Sequence, residues 1–329
     1  MVGPDPAVAA TRLAVRRAVA GAEDPVGQRV LVACSGGADS LALLAAAVFE
    51  ARDRPWSVVG VTVDHGLRED SAEVAERVVA QMAILGADET ATARVAVTTD
   101  GHGPEAAARE ARYAVLEELA ERFGSGVVLL GHTLDDQAET VLLGLARGSG
   151  GRSLAGMRRA WGVFRRPLLD LTRAQTEAAC RAEGISWWAD PANDDPRFTR
   201  NRVRHTVLPM LEAELGPGVA ATLARTADQL RPDIEALDAW AERVLDEVRT
   251  DDGLEATALG RHPSAVISRV LRLAALAAGS SAADLFHVHV VALADLVAAP
   301  RPGSGHGDVQ LPGRVTAYRD GDLLRFRST

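Results

Sequence analysis

The 329-residue chain contains no lysine, so all 36 of its basic residues are arginines. No side chain here can therefore form a Schiff base or supply the lysine of a GxxxxGK[ST] phosphate loop. Cysteine is also rare. Cys34 and Cys180 lie far apart and form no CxxC pair, which excludes a paired redox site and argues against a thiolate metal site. So few cysteines in so long a chain indicate a reducing compartment.

Long apolar runs and an excess of positive charge are absent as well. The longest apolar run, Leu41 to Phe49, is far shorter than the roughly 20 residues of a membrane helix, and residues 1–20 lack the order of a signal peptide. The net charge is −9, so any contact with nucleic acid needs a local basic face. We expect a cytoplasmic protein that makes no membrane contact.

The first 150 residues alternate short apolar runs with segments of helical period. The predicted strands are Arg29–Ala33, Val58–Val63, Val95–Thr98 and Val127–Leu130. The predicted helices are Asp39–Glu50, Ser71–Leu85 with Ser71 as its N-cap, Pro104–Phe123 and Asp135–Leu145. Repeated β–α order with unbroken apolar strands predicts the α/β class with a doubly wound parallel sheet. Such sheets bind ligands at the carboxyl ends of their strands.

Residues 151–210 differ in charge from the rest of the chain. They hold eleven arginines and six acidic residues, and five large aromatic residues lie among them: Trp161, Phe164, Trp187, Trp188 and Phe198. Arginines with aromatics suit contact with phosphates and stacking on bases. The alternative is a solvated basic face over a small aromatic core.

The Gly216-Pro217-Gly218 break predicts two domains, residues 1–215 and residues 219–329. The second is expected to be mostly helical, with helices at Val219–Val248, Ser264–Ala277 and Ala282–Ala298. The first of these is expected to be kinked or interrupted at Pro232. A strand hairpin is predicted within residues 309–326. The amphipathic helices can bury their apolar faces against their own domain or against a second copy, so a homodimer stays an open alternative.

The segment between the first strand and the first helix has the composition of a phosphate-binding loop. It consists of Ser35, Gly36, Gly37, Ala38, Asp39 and Ser40. The glycines allow a tight turn and close approach of a ligand, and the free amides at the helix start favour an anion. The serines add hydroxyl donors, and Asp39 can hold a divalent cation. The alternative is an ordinary N-cap loop in which Asp39 is the capping acceptor.

This loop resembles the SGGxDS pyrophosphate loop of the ATP pyrophosphatase, or PP-loop, family. Three later segments are similar to motifs of the tRNA(Ile)-lysidine synthetases within it: GHTLDDQAET at residues 131–140, AREARY at 108–113, and DPAND…FTRNRVRH within 190–205. Ala192 departs from the serine expected in the third motif, and Ala189 stands where the family often has an acid. The resemblance implies a fold of the adenine nucleotide alpha-hydrolase type and the substrates ATP, free L-lysine and an isoleucine tRNA with a CAU anticodon.

The resemblance also implies roles for individual residues. Asp39 and Asp136 would hold Mg²⁺. Asp135 and Asp136 are also candidates to receive the ammonium group of lysine, and which of the two holds metal and which holds lysine stays open. Asp136 is also a candidate acceptor of the lysine proton. His132 is either a general base or a packed side chain.

The basic residues of the matched motifs have implied roles too. Arg109 and Arg112 lie three residues apart, so they can share a helix face and stabilise charge on the α-phosphate; an ion pair with Glu105 or Glu110 is the alternative. Arg200, Asn201 and Arg204 suit the tRNA backbone or the transition state; solvated charge is the alternative there. Asp64 and His65 are expected near the adenosine.

The implied reaction is a ligation. The cytidine C2 oxygen attacks the α-phosphorus of ATP, pyrophosphate leaves, and the ε-amine of lysine then displaces AMP. Two alternatives use the same loop. A tRNA thiolase or an amidotransferase would share the adenylation, but the sequence shows neither paired cysteines nor a glutaminase nucleophile. A nucleotide-sensing module would lack acids or glycines in the loop, whereas Gly36, Gly37, Asp39 and Asp136 are all present.

Overall fold

The structure is a computed structural model that describes residues 3–20, 29–64, 66, 70–95, 104–148, 150–298 and 307–329, apart from the side chains of residues 104–108. Its α-helices are α1 (Pro6–Ala20), α2 (Ala38–Ala51), α3 (Ser71–Ile84), α4 (Pro104–Phe123), α5 (Leu134–Ala146), α6 (Gly151–Leu154), α7 (Arg173–Ala182), α8 (Thr199–Arg202), α9 (Leu208–Leu215), α10 (Val219–Val248), α11 (Ala256–Leu259), α12 (Ser264–Ala277) and α13 (His287–Ala298). Pro167–Asp170 and Pro191–Asp194 are 3₁₀ turns, and Val203–Val207 is a π-type turn.

The strands are β1 (Arg29–Ala33), β2 (Ser57–Asp64), β3 (Glu89–Arg94), β4 (Val127–Leu130), β5 (Ala160–Trp161), β6 (Phe164–Arg165), β7 (Arg249–Thr250), β8 (Gly253–Glu255), β9 (Val309–Leu311), β10 (Val315–Asp320) and β11 (Leu323–Ser328). The first sheet has the order β3-β2-β1-β4-β6-β5, and only the short β5 pairs antiparallel in it among the described strands. The chain runs outward from β1 to β3 and returns to the other side of β1 at β4. The ends of β1 and β4 therefore border the crevice where such sheets bind ligands, and the predicted doubly wound sheet is confirmed.

Helices cover both faces of this sheet. Val30 and Val32 of β1 pack with α1, α2 and α3, whereas Leu31 packs with α4. Because successive residues of a strand point to opposite faces, burial on both sides requires an unbroken apolar strand, which is what RVLVA provides. The predicted bounds of β1, β4 and α4 are confirmed, and those of α2 and α5 differ by one residue at each end.

Four local predictions differ from the structure. The third strand is Glu89–Arg94 rather than Val95–Thr98, of which residues 96–98 lie outside the described residues. Ser71 makes no cap, because the N-cap of α3 is Asp70 and no side chain caps it. The last helix begins at His287 rather than at Ala282, and α10 is not interrupted at Pro232, so a kink there stays a prediction.

Packing divides the chain into two compact units, Met1–Ala146 with Gly156–Thr226, and Arg147–Ala155 with Ala227–Thr329. The division falls inside α10, downstream of the glycine–proline break. The second unit has a five-stranded antiparallel sheet in the order β7-β8-β11-β10-β9, which shares a core with α12 and α13. The predicted hairpin is confirmed: β10 and β11 pair around Gly321. None of the helices in the described part of the chain is long and apolar enough to cross a bilayer.

Candidate active site

The glycine loop turns tightly between β1 and α2. Gly36 has a φ of +84°, and a Cβ there would lie 2.7 Å from Val78 Cγ2, so this position requires glycine. Gly37 is the N-cap of α2 and offers no side-chain acceptor to the first turn. The hydroxyl of Ser40 closes the loop by donating to the Gly37 carbonyl at 2.9 Å and accepting from the Ser35 amide at 3.2 Å. The remaining amides of the helix start are suited to an anion.

A cavity of about 680 Å³ opens beside this loop at the carboxyl ends of β1, β2 and β4. Its size lies in the range of roughly 300–1,000 Å³ that is usual for small-molecule sites. One wall is the segment of residues 188–198, which includes Trp188, Asp190 and Phe198. The Trp188 amide donates to the Gly36 carbonyl at 3.1 Å, which ties this segment to the glycine loop.

Asp39 and Asp136 come together through Arg173, the first residue of α7. Arg173 Nε lies 3.5 Å from Asp39 Oδ2, and Arg173 Nη2 lies 3.3 Å from Asp136 Oδ1. Asp39 therefore does not act as a simple helix cap: its other oxygen accepts a short hydrogen bond from the Thr176 hydroxyl. Asp136 Oδ2 turns back to accept from the Thr133 amide at 2.9 Å and from the Thr133 hydroxyl at 3.1 Å. Thr133 thus fixes the start of α5.

The two carboxylates have different acidities because their surroundings differ. Burial raises the pKa of Asp39 to about 6, against the opposing effects of Thr176 and Arg173. Burial also acts to raise the pKa of Asp136, but Arg200, Arg173 and the Thr133 amide outweigh it and hold the pKa below its ordinary value. Asp136 is therefore ionised at neutral pH, whereas Asp39 titrates close to it.

A buried ion cluster stands behind Asp136. Glu139 has a fully buried side chain and accepts from Arg200 Nε at 2.7 Å and from Arg204 Nε at 2.6 Å. The Nη2 atoms of the same two arginines lie 3.2 and 3.1 Å from Asp136 Oδ1. The arginines expected to contact tRNA are therefore held by acidic residues of the protein itself.

Arg112 and His132 line the large cavity. Burial lowers the pKa of Arg112, and the neighbouring Arg109 and Arg200 lower it further. His132 Nδ1 accepts from Arg166 Nε at 3.3 Å, so Nε2 carries the ring proton in the neutral imidazole. Burial and the charge of Arg166 lower the pKa of His132 to about 3. Its imidazole is thus a hydrogen-bond donor at neutral pH and a weak base.

The other predicted site residues lie in different places. Arg109 contacts Tyr113 Oη at 3.5 Å and borders a second cavity, which does not include Arg112. Asp135 Oδ2 accepts from the Arg173 amide at 2.7 Å. The buried Asn201 donates to the carbonyls of Ala192 and Asp195 at 2.8 and 2.9 Å and so holds segment 188–198. Asp64 lines the large cavity. His65 lies outside the described residues.

Sequence reasoning did not assign four residues that shape this site. Arg173 is one of eleven arginines in residues 151–210, and nothing in the sequence distinguishes it from the others. Thr176 lies in none of the matched motifs. Glu139 lies within the GHTLDDQAET match, which was the available signal for it. Gly131, in the same match, lies against the glycine loop: a Cβ there would be 3.1 Å from the Ser40 Cα and amide nitrogen.

Comparisons with known proteins agree with this architecture. A family model described as "PP-loop domain" matches residues 12–211. Proteins named tRNA(Ile)-lysidine synthase are similar over nearly the whole chain: that of Thermobifida fusca is 51% identical and covers 98% of this chain and 99% of its own, and that of Streptomyces coelicolor is 47% identical and covers 99% of each.

A solved structure shares the fold alone. It is the U34-tRNA thiolase NcsA from Methanococcus maripaludis with its [4Fe-4S] cluster, 17% identical, with a TM-score of 0.57 over 68% of this chain and 79% of that one. This chain has two cysteines, both buried, whereas a cluster of that type takes several thiolate ligands. With the family model over more than half of its length and full-length relatives near 50% identity, the chain belongs to the tRNA(Ile)-lysidine synthase family of PP-loop proteins.

Proposed function

We propose that this chain is an ATP-dependent ligase that joins free L-lysine to C2 of the wobble cytidine of an isoleucine tRNA with a CAU anticodon. AMP and pyrophosphate are the other products. The full-length similarity to tRNA(Ile)-lysidine synthases supports this reaction. The structural observation that carries it is that the glycine loop, the Asp39–Asp136 pair and the 680 Å³ cavity, which Ser35 and His132 line, all lie where β1 and β4 end.

The reaction has two steps, and the site suits both. In the first, the C2 oxygen attacks the α-phosphorus, and pyrophosphate leaves toward the amides of residues 35–40. Adenylation is needed because a carbonyl oxygen is a poor leaving group, whereas AMP is a good one. Arg112, a half-buried cation in the cavity wall, would stabilise the charge on the α-phosphate and on departing AMP. His132 would donate a hydrogen bond from Nε2 in the same cavity.

In the second step the ε-ammonium of lysine loses a proton to solvent water, the free ε-amine attacks C2, and the bond from C2 to the adenylate oxygen breaks so that AMP leaves. Asp136 is the carboxylate that faces the cluster of arginines, and it stays ionised. A carboxylate of low pKa suits holding a cation, either the lysine ammonium or a metal, more than storing a proton. Asp135 is engaged at the start of α7, so we assign it a structural role.

Mg²⁺ is part of the proposal, and Asp39 and Asp136 are the residues that would hold it. One or two carboxylates together with substrate phosphates are the usual donors for Mg²⁺. The pair fits this use because both carboxylates already contact one cation, the Arg173 guanidinium. Bound there, the ion would supply charge neutralisation for the phosphates.

Segment 188–198 is the proposed contact with the anticodon loop. Phe198 is 48% exposed and lines the cavity. No other large hydrophobic side chain that is exposed in the described residues lines it. Arg197 beside it is exposed and pairs only at the surface, with Asp195. An aromatic ring next to exposed guanidinium groups suits a base that has left its stack.

Three further predictions belong to the same proposal. Residues 1–215 would form the catalytic domain and residues 219–329 a tRNA-docking domain. The free, buried thiols of Cys34 and Cys180 support a cytoplasmic location. A homodimer stays a prediction from the amphipathic helices.

The test is product formation from labelled ATP with an isoleucine tRNA bearing CAU. We expect pyrophosphate release that needs this tRNA and AMP release that needs both this tRNA and lysine. A methionine tRNA with the same anticodon and a reaction without lysine are the controls. ATP turnover that needs neither lysine nor the isoleucine tRNA would overturn the assignment. Asp39→Asn should abolish turnover while the protein stays folded.

A further inference from the structure

We propose that Arg173 is an internal counter-cation of the metal site. Its guanidinium neutralises Asp39 and Asp136 in the nucleotide-free protein and transfers to the polyphosphate when ATP and Mg²⁺ bind. This inference rests on the proposed function, because it requires Asp39 and Asp136 to hold the metal.

Arg173 contacts one oxygen of Asp39 and one oxygen of Asp136. In Asp39, Thr176 binds Oδ1 and Arg173 Nε lies 3.5 Å from Oδ2. In Asp136, Thr133 binds Oδ2 and Arg173 Nη2 lies 3.3 Å from Oδ1. Each carboxylate is therefore fixed through one oxygen by a threonine and presents the other oxygen to the Arg173 guanidinium. Asp136 Oδ1 also lies 3.2 and 3.1 Å from the Nη2 atoms of Arg200 and Arg204. A divalent cation would take those presented oxygens, and the threonines would keep both carboxylates oriented after the guanidinium leaves.

Arg173 is held less firmly than the other two arginines that contact Asp136. Arg200 and Arg204 each have a short bond to the buried Glu139, at 2.7 and 2.6 Å. Within the described part of the chain, Arg173 has no ion pair beyond those with Asp39 and Asp136. Both of its contacts are longer than the about 2.7–2.9 Å of a strong charge-assisted bond. Of the three guanidinium groups, that of Arg173 is the one free to leave.

The backbone at the start of α7 is held in place independently of the Arg173 side chain. The Arg173 amide donates to Asp135 at 2.7 Å, and Thr172 forms a capping box with Gln175, so the start of α7 is fixed at two points. The long side chain can therefore swing while the helix stays in place. Asp39 belongs to the glycine loop, so the guanidinium already lies next to the amides proposed to bind the phosphates. Its destination is the polyphosphate.

The experiment measures metal and nucleotide binding separately. Mn²⁺ serves as the probe and is followed by electron paramagnetic resonance, first alone and then with a non-hydrolysable ATP analogue. Without nucleotide, Arg173→Gln should bind Mn²⁺ about tenfold more tightly than wild type, because a positive charge has left the site. With Mn²⁺ present, the same variant should bind the analogue about tenfold more weakly, because the phosphates lose a cation. A side chain that only supported the fold would lower both affinities together when it is replaced.

Matched variants isolate the effect. Arg181→Gln lies on the same helix and removes a cation whose partner, Glu177, is at the surface, so both affinities should stay at the wild-type value. Arg173→Lys keeps a cation and should bind Mn²⁺ as wild type does. Circular dichroism checks that each variant is folded.

The outcomes separate this inference from the proposed function. Equal Mn²⁺ affinity in wild type and Arg173→Gln, or a parallel loss of both affinities, would overturn the counter-cation role alone. Failure of wild-type protein to bind Mn²⁺ even with the analogue would overturn the metal site itself. Loss of Mn²⁺ binding when Asp39→Asn is introduced into wild type and into Arg173→Gln would support that site.

Discussion

The buried ion cluster around Glu139 makes a quantitative prediction about folding. Glu139→Gln keeps the size of the side chain but removes the charge that binds Arg200 and Arg204. The side chains of those arginines are 26% and 18% exposed, so water can solvate them only in part. Breaking a buried pair by removing one partner costs about 3–5 kcal/mol, because the remaining charge is uncompensated. We expect the unfolding free energy to fall by that amount, a large share of the roughly 5–15 kcal/mol of a typical domain.

The assay is urea unfolding of wild type and variant, with Glu177→Gln as the matched control. Glu177 pairs with Arg181 at the surface of α7, and such pairs contribute about 0–1 kcal/mol. Adding Arg204→Met to Glu139→Gln should cost less than the sum of the two single changes, because the double variant removes the orphaned charge as well. A loss no larger than that of Glu177→Gln, or strict additivity, would refute the reasoning.

Three further predictions test other parts of the site. Because folding raises the pKa of Asp39 from 3.8 to about 6, the ionised form destabilises the native state above pH 6, and this penalty disappears below pH 4. Metal-free Asp39→Asn should therefore be more stable than wild type by on the order of 3 kcal/mol at pH 7.5, and the difference should shrink progressively toward pH 4. Chemical denaturation at several pH values would measure it. A gain in stability that does not depend on pH would contradict this prediction. Gly36→Ala should lose about 1–2 kcal/mol of stability through its left-handed backbone, whereas Gly37→Ala, where the nearest side-chain atom is 3.7 Å from the new Cβ, should fold normally; equal melting temperatures would refute the strain at Gly36. Phe198→Ala should raise the KM for tRNA by the equivalent of about 1–3 kcal/mol of stacking while the KM for ATP stays constant. The control is Ile84→Ala, an exposed hydrophobic residue that does not line the cavity. An equal rise in the KM for ATP would place the Phe198 ring against adenine instead.

The parts of the fold that sequence predicts well are those in which local pattern and burial agree. Leu31 and its neighbours in β1 are apolar because the strand is buried on both faces. This apolar run therefore predicts both ends of the strand correctly. The strand Glu89–Arg94 carries no such run. It is the edge strand of the sheet and stays partly exposed, so polar residues are tolerated in it and the pattern points instead to the apolar residues that follow.

The site was predictable only as far as its motifs extend. The glycine loop and the Asp135-Asp136 pair follow strands directly, so their place at the end of the sheet could be inferred. Arg173 is distant from Asp39 in sequence and meets it only because α7 packs on α2. The pairing of Arg200 and Arg204 with Glu139 is equally non-local, so sequence alone predicted the tRNA backbone or the transition state as their partner, with solvent as the alternative.

The central claim is tested most directly by the chemical fate of the wobble nucleoside. Isoleucine tRNA with a CAU anticodon is incubated with the protein, ATP, Mg²⁺ and isotopically labelled lysine, then digested and analysed by mass spectrometry. Our account predicts that the cytidine at the wobble position gains one lysine with loss of one water and carries the label, and that Asp39→Asn yields none. Consumption of ATP with an unchanged wobble cytidine would contradict it.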